Sequence, residues 1–135
     1  MKKVIPIIIV VLLLVGGIFG GRIIASLKGQ TYNKSILTIE NNVCDFKQVG
    51  MDTTVYHLFE FSNTGTEELK LLEVKPYCGC TATEYNDDPI PTKGRGQIKV
   101  GFRPYSYGIF NKPIEIRTNS ISTPVIYLYV RGMVK

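Results

Sequence analysis

The chain has 135 residues and a formal charge of +5, from 16 basic and 11 acidic side chains, with three cysteines, one histidine and no tryptophan. Five basic residues (Lys2, Lys3, Arg22, Lys28 and Lys34) precede Ile36, so the segment 36–135 holds eleven of each sign and is formally neutral. It lacks the clustered positive excess that DNA or RNA binding needs, and nucleic acid is excluded as a partner.

Two lysines open the chain, followed by an uncharged, mostly apolar run from Val4 to Gly21. Ile23, Ile24, Ala25 and Leu27 extend it past a snorkelling Arg22, so residues 4–27 supply the roughly 20 residues that cross a bilayer as a helix. The run is apolar on every side, which argues against a core helix. Only Ala25 offers a cleavage site, and the large Ile23 stands two residues before it, where a small residue is preferred. Residues 1–28 are therefore expected to be an uncleaved anchor in contact with lipid, with a cleaved signal peptide and a secreted product as the alternative. No cysteine follows closely, which excludes a lipoprotein anchor. Flanking charges are nearly balanced, so orientation rests on compartment: a cysteine-bearing β domain suits the oxidising side. Residues 29–35 read as a polar linker.

From Ile36 onward the period is two. "ILTIE" and "VCDFKQV" are short strands. "TVYHLFEFSN" puts Val55, His57, Phe59 and Phe61 on one face, and "NTGT" reads as a hairpin turn with Gly65 available for positive φ. In "ELKLLEVKPY" the apolar phase shifts between Leu71 and Val74, the mark of a bulge. "CTATEY", "QIKVGFRP", "FNKPIEIRTN" and "PVIYLYVRG" complete seven or eight strands. The pattern predicts one domain, 36–135, folded as an all-β, immunoglobulin-like antiparallel sandwich, with a barrel as the alternative.

The pieces Asp45-Phe46, "HLFEFSNTG", "YCGCTAT", "PTKGRGQIKVGF", "YGIFNKPIEIRTN" and "LYVRG" occur in the order of a bacterial family, domain of unknown function 1573, which this chain resembles over about residues 39 to 132. Lys47 stands where that family has glycine after Asp-Phe, and Thr92-Lys93 are added before Gly94; both read as loop changes. Cys44 has no counterpart in the pattern. The resemblance implies an envelope protein with a fold similar to the hydin and major sperm protein group, whose domains bind other proteins. It implies no catalytic residues. With the anchor, it places the chain in the inner membrane with its domain in the periplasm.

Cys78 and Cys80, separated by Gly79, are the chemical question. A bridge from Cys44 to Cys78 or Cys80 would staple a small exported domain. A bond between Cys78 and Cys80 themselves needs a tight turn. Other readings are two packed thiols, a copper or zinc site, and a redox pair. The metal reading has only Cys44 and His57 to complete it, and the redox reading lacks C-x-x-C at a helix start.

His57 reads as a hydrogen-bonded core histidine, Asp45 as a turn cap, and "NDD" at 86–88 as a solvated turn rather than a cation loop. Tyr127 and Tyr129 share a face assigned to core packing. No catalytic constellation or cofactor motif is present, so we expect binding or scaffolding of a partner protein rather than catalysis, with copper, zinc or thiol handling as the alternative. The surface expected to carry it holds Cys78, Gly79, Cys80 and Thr81, with Tyr105 and Tyr107 from a nearby loop.

Overall fold

The computed structural model describes residues 34–135. The expected membrane anchor and most of the linker lie outside the described residues. Eight strands follow in order: β1 (Leu37–Thr38), β2 (Val43–Val49), β3 (Val55–Asn63), β4 (Leu71–Pro76), β5 (Thr81–Tyr85), β6 (Arg95–Phe102), β7 (Gly108–Thr118) and β8 (Val125–Val134). Among the described residues no helix is long and apolar enough to cross a membrane.

Alternation sets the layers. Phe59 and Phe61 of β3 are buried while Tyr56, Leu58 and Glu60 are exposed. The same period buries Ile98, Val100 and Phe102 of β6, Ile114 and Ile116 of β7, and Leu128 and Val130 of β8. Two four-stranded sheets result, in the orders β1-β3-β6-β5 and β2-β8-β7-β4, and their inner faces enclose one core. Two open sheets make a sandwich, not a barrel.

Two expectations are corrected. The sandwich is not wholly antiparallel: β2 runs parallel to β8, because no hairpin joins these distant strands and fixes their sense. "NTGT" is not a hairpin turn either, since it carries the chain from β3 in one sheet to β4 in the other. Gly65 does not use positive φ. Its backbone passes Lys34 so closely that a Cβ would stand 1.8 Å from the Lys34 carbonyl oxygen. The phase shift in β4 is a register break between Leu71 and Glu73.

The crossovers fall at two ends. The near end, where the chain enters at Lys34, is closed by polar side chains. Asn63, wholly buried, accepts from the Ile36 and Gly65 N–H groups and donates to the Glu67 and Ile90 carbonyls. Asn119 joins it, accepting from Ser35 Oγ and Lys70 N and donating to the Glu68 carbonyl. Lys34 and Ser35, assigned to the linker by sequence, are thereby part of the fold: Ser35 is buried, and its carbonyl accepts from Ser120 Oγ. The far end gathers the β2–β3 loop, the β4–β5 turn and the β6–β7 loop.

Candidate binding site at the far end of the sandwich

The β4–β5 turn follows Tyr77, whose N–H makes the last bond from this strand to β7, at the Pro113 carbonyl; Pro113 has no N–H to return it. The chain reverses with Thr81 N–H donating to the Cys78 carbonyl at 3.2 Å and Cys80 N–H to Cys78 Sγ at 3.0 Å. Cys78 and Cys80 are disulfide-bonded across this turn, with Cα atoms 5.2 Å apart, inside the range such a bond requires. The expected bridge to Cys44 is not formed, and Cys44 is a free, buried thiol. Topology gives the reason. Cys44 lies on β2 and Cys78 just beyond β4, opposite edges of one sheet with β8 and β7 between. Three strand spacings are roughly 14 Å, twice the reach of a disulfide. Burial, and then the Asp45 carboxylate, raise the Cys44 thiol pKa, so it is a packed apolar side chain.

The turn is tied to the β6–β7 loop by Arg103 N–H donating to the Cys80 carbonyl at 2.9 Å. That loop runs over the buried Pro104, lifts Tyr105 and Tyr107 into solvent at 70% and 71% exposure, and re-enters β7 at Gly108. Gly108 has φ +111°, which side chains rarely tolerate. Between turn and loop lies a cleft of about 540 Å³, lined by Cys78, Gly79, Cys80, Tyr105, Ser106, Tyr107, Ile109 and Lys112, with Phe102, Phe110 and Val134 among its deeper residues. Phe102 and Phe110 are stacked, ring centres 4.2 Å apart. Thus Cys78, Gly79, Cys80, Tyr105 and Tyr107, remote in sequence, line one concavity. Thr81 is buried beside it as the first residue of β5. Sequence reading missed Ile109, 84% exposed, and Lys112. Both sit in a strand whose alternation alone does not reveal where the opposite sheet ends.

A second cluster escaped the sequence. Glu115 points to the outer face of its sheet, yet its side chain is only 6% exposed. Tyr77 and Tyr127 hydroxyls both donate to its Oε2, and Arg117 Nε donates to Oε1 at 2.6 Å. The Tyr77 hydrogen bond, then Arg117, hold the Glu115 carboxyl below the usual range, and the Tyr77 hydroxyl is pushed up to about 12 by the same bond. Tyr77 immediately precedes Cys78, so this cluster pins the base of the turn. Tyr127 is therefore not core: it shares a face with Tyr129 as expected, but that face is the outer one, and Leu128 and Val130 fill the interior.

The remaining candidates lie outside the cleft lining. His57 is half-buried, with Phe59 edge-on at 4.6 Å and Phe46 at 6.4 Å; the expected hydrogen bond to it is not among those of the described residues. Asp45 does cap, accepting from Lys47 N–H at 2.9 Å and Arg131 Nε at 3.2 Å, and these bonds, the Lys47 one first, lower its pKa. Lys47 lies not in a loop but at the bulge inside β2, with φ 58°. Asn86 and Asp88 bond to one another in an exposed turn. Among the described residues no group of three His, Cys, Asp or Glu side chains is placed to hold a metal, and neither Cys44 nor His57 lines the Cys78–Cys80 cleft.

Among curated proteins none matches this sequence. Solved structures match its fold. A protein of unknown function from Porphyromonas gingivalis W83 superposes with TM-score 0.68 at 16% identity, covering 79% of this chain and 50% of its own, so this chain spans half of that protein. The PapD-like domain 7 of human CEP192 gives TM-score 0.58 at 14% identity over 80% of this chain and 91% of its own. WR4, a C. elegans member of the MSP family, gives 0.50 at 9% over 75% and 99%. These likenesses establish an immunoglobulin-like sandwich of the PapD and MSP kind. The family model described as protein of unknown function (DUF1573) matches residues 37–134, from the first residue of β1 to the last of β8, and the chain belongs to that family.

Proposed function

We propose that this chain is a membrane-tethered module on the periplasmic side of the inner membrane that binds a partner protein at its far-end cleft. The observation that carries the reading is the gathering of exposed Tyr105, Tyr107 and Ile109 around a concavity whose opposite wall is fixed by the Cys78–Cys80 bond. Exposed tyrosines offer large contact area with few torsions to freeze, and a pinned turn lowers the ordering cost of association. A stable partner covers roughly 800 Å² on each side, so its contact extends beyond the cleft onto neighbouring loops. Lys34, the first of the described residues, lies at the opposite end of the sandwich. Residues 4–27 are the proposed tether.

The test places a photoreactive residue at Tyr105 or Tyr107 in the full chain in its native cells, with Leu58 on the outer sheet face as control. Discrete adducts from 105 and 107, absent from 58, support the reading. Adducts from 58 alone reject it.

The paired sulfurs favour a second reading, thiol–disulfide exchange through Cys78 and Cys80, which needs a reduced partner thiolate to attack the bond. A Cys78→Ser/Cys80→Ser chain that keeps its partner and phenotype rejects this alternative.

A further inference from the structure

We infer that the far-end cleft takes an acidic peptide segment whose carboxylate pairs with Lys112 while a flanking apolar side chain lies against the aromatic wall; this rests on the proposal that the cleft is the partner site. Lys112 falls on the inward face of β7, in phase with Phe110 and Ile114, and is half-buried at the mouth of the core. The strand ladder sets it beside the cysteine turn: Pro76 pairs with Ile114, and Tyr77 N–H donates to the Pro113 carbonyl at 3.4 Å, leaving Lys112 level with Cys78. It is the single charged residue lining the cleft. Among the described residues it makes no ion pair, a property it shares with surface lysines such as Lys70 and Lys75; what sets it apart is its half-buried place in the cleft lining.

A cation walled by Tyr105, Tyr107, Phe110 and a disulfide is screened less than one on open surface, so an opposite charge brought to it is favoured. One lysine is a point charge without the fork geometry or the arginine cluster that phosphorylated segments use, and a carboxylate is its match. The apolar wall asks for an aliphatic or aromatic neighbour on the same segment. The recognised unit is thus Asp or Glu within one or two residues of a large apolar side chain.

The experiment immobilises the full chain through an N-terminal tag and selects from a displayed random peptide library. Selected peptides are expected to carry an acidic residue next to an aromatic or aliphatic one. Their affinity should fall about tenfold with Lys112→Gln, fall further with Lys112→Glu and be largely retained with Lys112→Arg. Exchanging the peptide's carboxylate for its amide should cause a similar loss on the unmodified protein, and should cause little added loss on Lys112→Gln. The arm on the unmodified protein holds even where a Lys112 variant folds poorly: no loss on amide exchange there overturns the inference. Selected peptides without acidic preference that still need Tyr105 and Tyr107 overturn this inference and leave the cleft as the partner site. Peptides indifferent to both tyrosines overturn the cleft itself. Selection of this chain's own sequences, with dimerisation abolished by Tyr105→Ser, makes the occupant a second copy and also overturns the inference.

Discussion

Asn63 shows how one side chain holds a whole end of the sandwich. Its amide makes two bonds as acceptor and two as donor, joining the entering chain, the crossover and the β5–β6 loop. Asn63→Ala leaves the Ile36 and Gly65 N–H groups and the Glu67 and Ile90 carbonyls without that partner, and should cost about 2–4 kcal/mol. Asn63→Asp should not rescue it, because a carboxylate would face two carbonyls; urea midpoints with unchanged slope test both. Lys47 behaves oppositely. A lysine at φ 58° pays for a left-handed backbone that glycine adopts freely, which gives the family's glycine there a physical reason. Lys47→Gly should stabilise by about 1 kcal/mol, against the usual direction of a glycine substitution in a strand. Glu115 sets a pH limit. Its folded pKa lies below the ordinary 4.5, so its contribution is present above that value and is lost as pH falls through the lowered one. Tyr77, raised from 10.0 to about 12, contributes below pH 10 and loses that contribution as pH climbs through 12. Stability measured against pH should therefore fall less steeply below pH 4.5 in Glu115→Gln than in the parent. Equal slopes would show that Asp45 and other carboxylates carry the acid limb.

The elements were legible wherever one face is buried and the other wet. β3, β6 and β7 announce themselves by alternation, and the bulge in β4 by its broken phase. Pairing was not legible, because period two says nothing about which sheet a strand joins or which face of it meets the core. Hence "NTGT" looked like a hairpin, and Tyr127 looked buried although Glu115 receives it on the outer face. The cysteine pairing stayed open for the same reason: only strand order reveals that Cys44 and Cys78 stand at opposite edges. The far-end tyrosines were found because a Tyr-Ser-Tyr loop between strands needs no register to be recognised as exposed. Alkylation tests the cysteine assignment. Cys44 alone should take up reagent, and only after unfolding, while a peptide joining Cys44 to the 78–80 segment would refute the pairing. The Cys78–Cys80 bond closes so short a loop that chain entropy gives it only about 1–2 kcal/mol. Cys78→Ser/Cys80→Ser should accordingly remain folded, with its effect concentrated in the turn.

Across the whole molecule the two ends divide labour. β3 alone spans roughly 30 Å between them, from nine residues at about 3.3 Å each. The near end is a closed polar lattice in which Asn63 satisfies the crossing backbone, Ser35 donates to Asn119, and Ser120 donates to the Ser35 carbonyl. The far end leaves its large side chains in water around a cleft. A stability device should be costly to mutate, and a recognition device should be nearly free to mutate until the partner is present. Tyr105→Ser with Tyr107→Ser should change unfolding free energy by no more than about 0.5 kcal/mol, since both side chains are exposed. Combined with Asn63→Ala at the other end, the effects should add within about 0.5 kcal/mol, as they do for sites that share no partner. Photo-crosslinking through a reporter at Ser106, between the two substituted tyrosines, should nonetheless lose its adduct in the tyrosine pair and keep it in a near-end variant that is still folded. Strong coupling in the stability cycle would mean that the core transmits strain from one end to the other. The far-end loops would then belong to the folding machinery rather than to recognition.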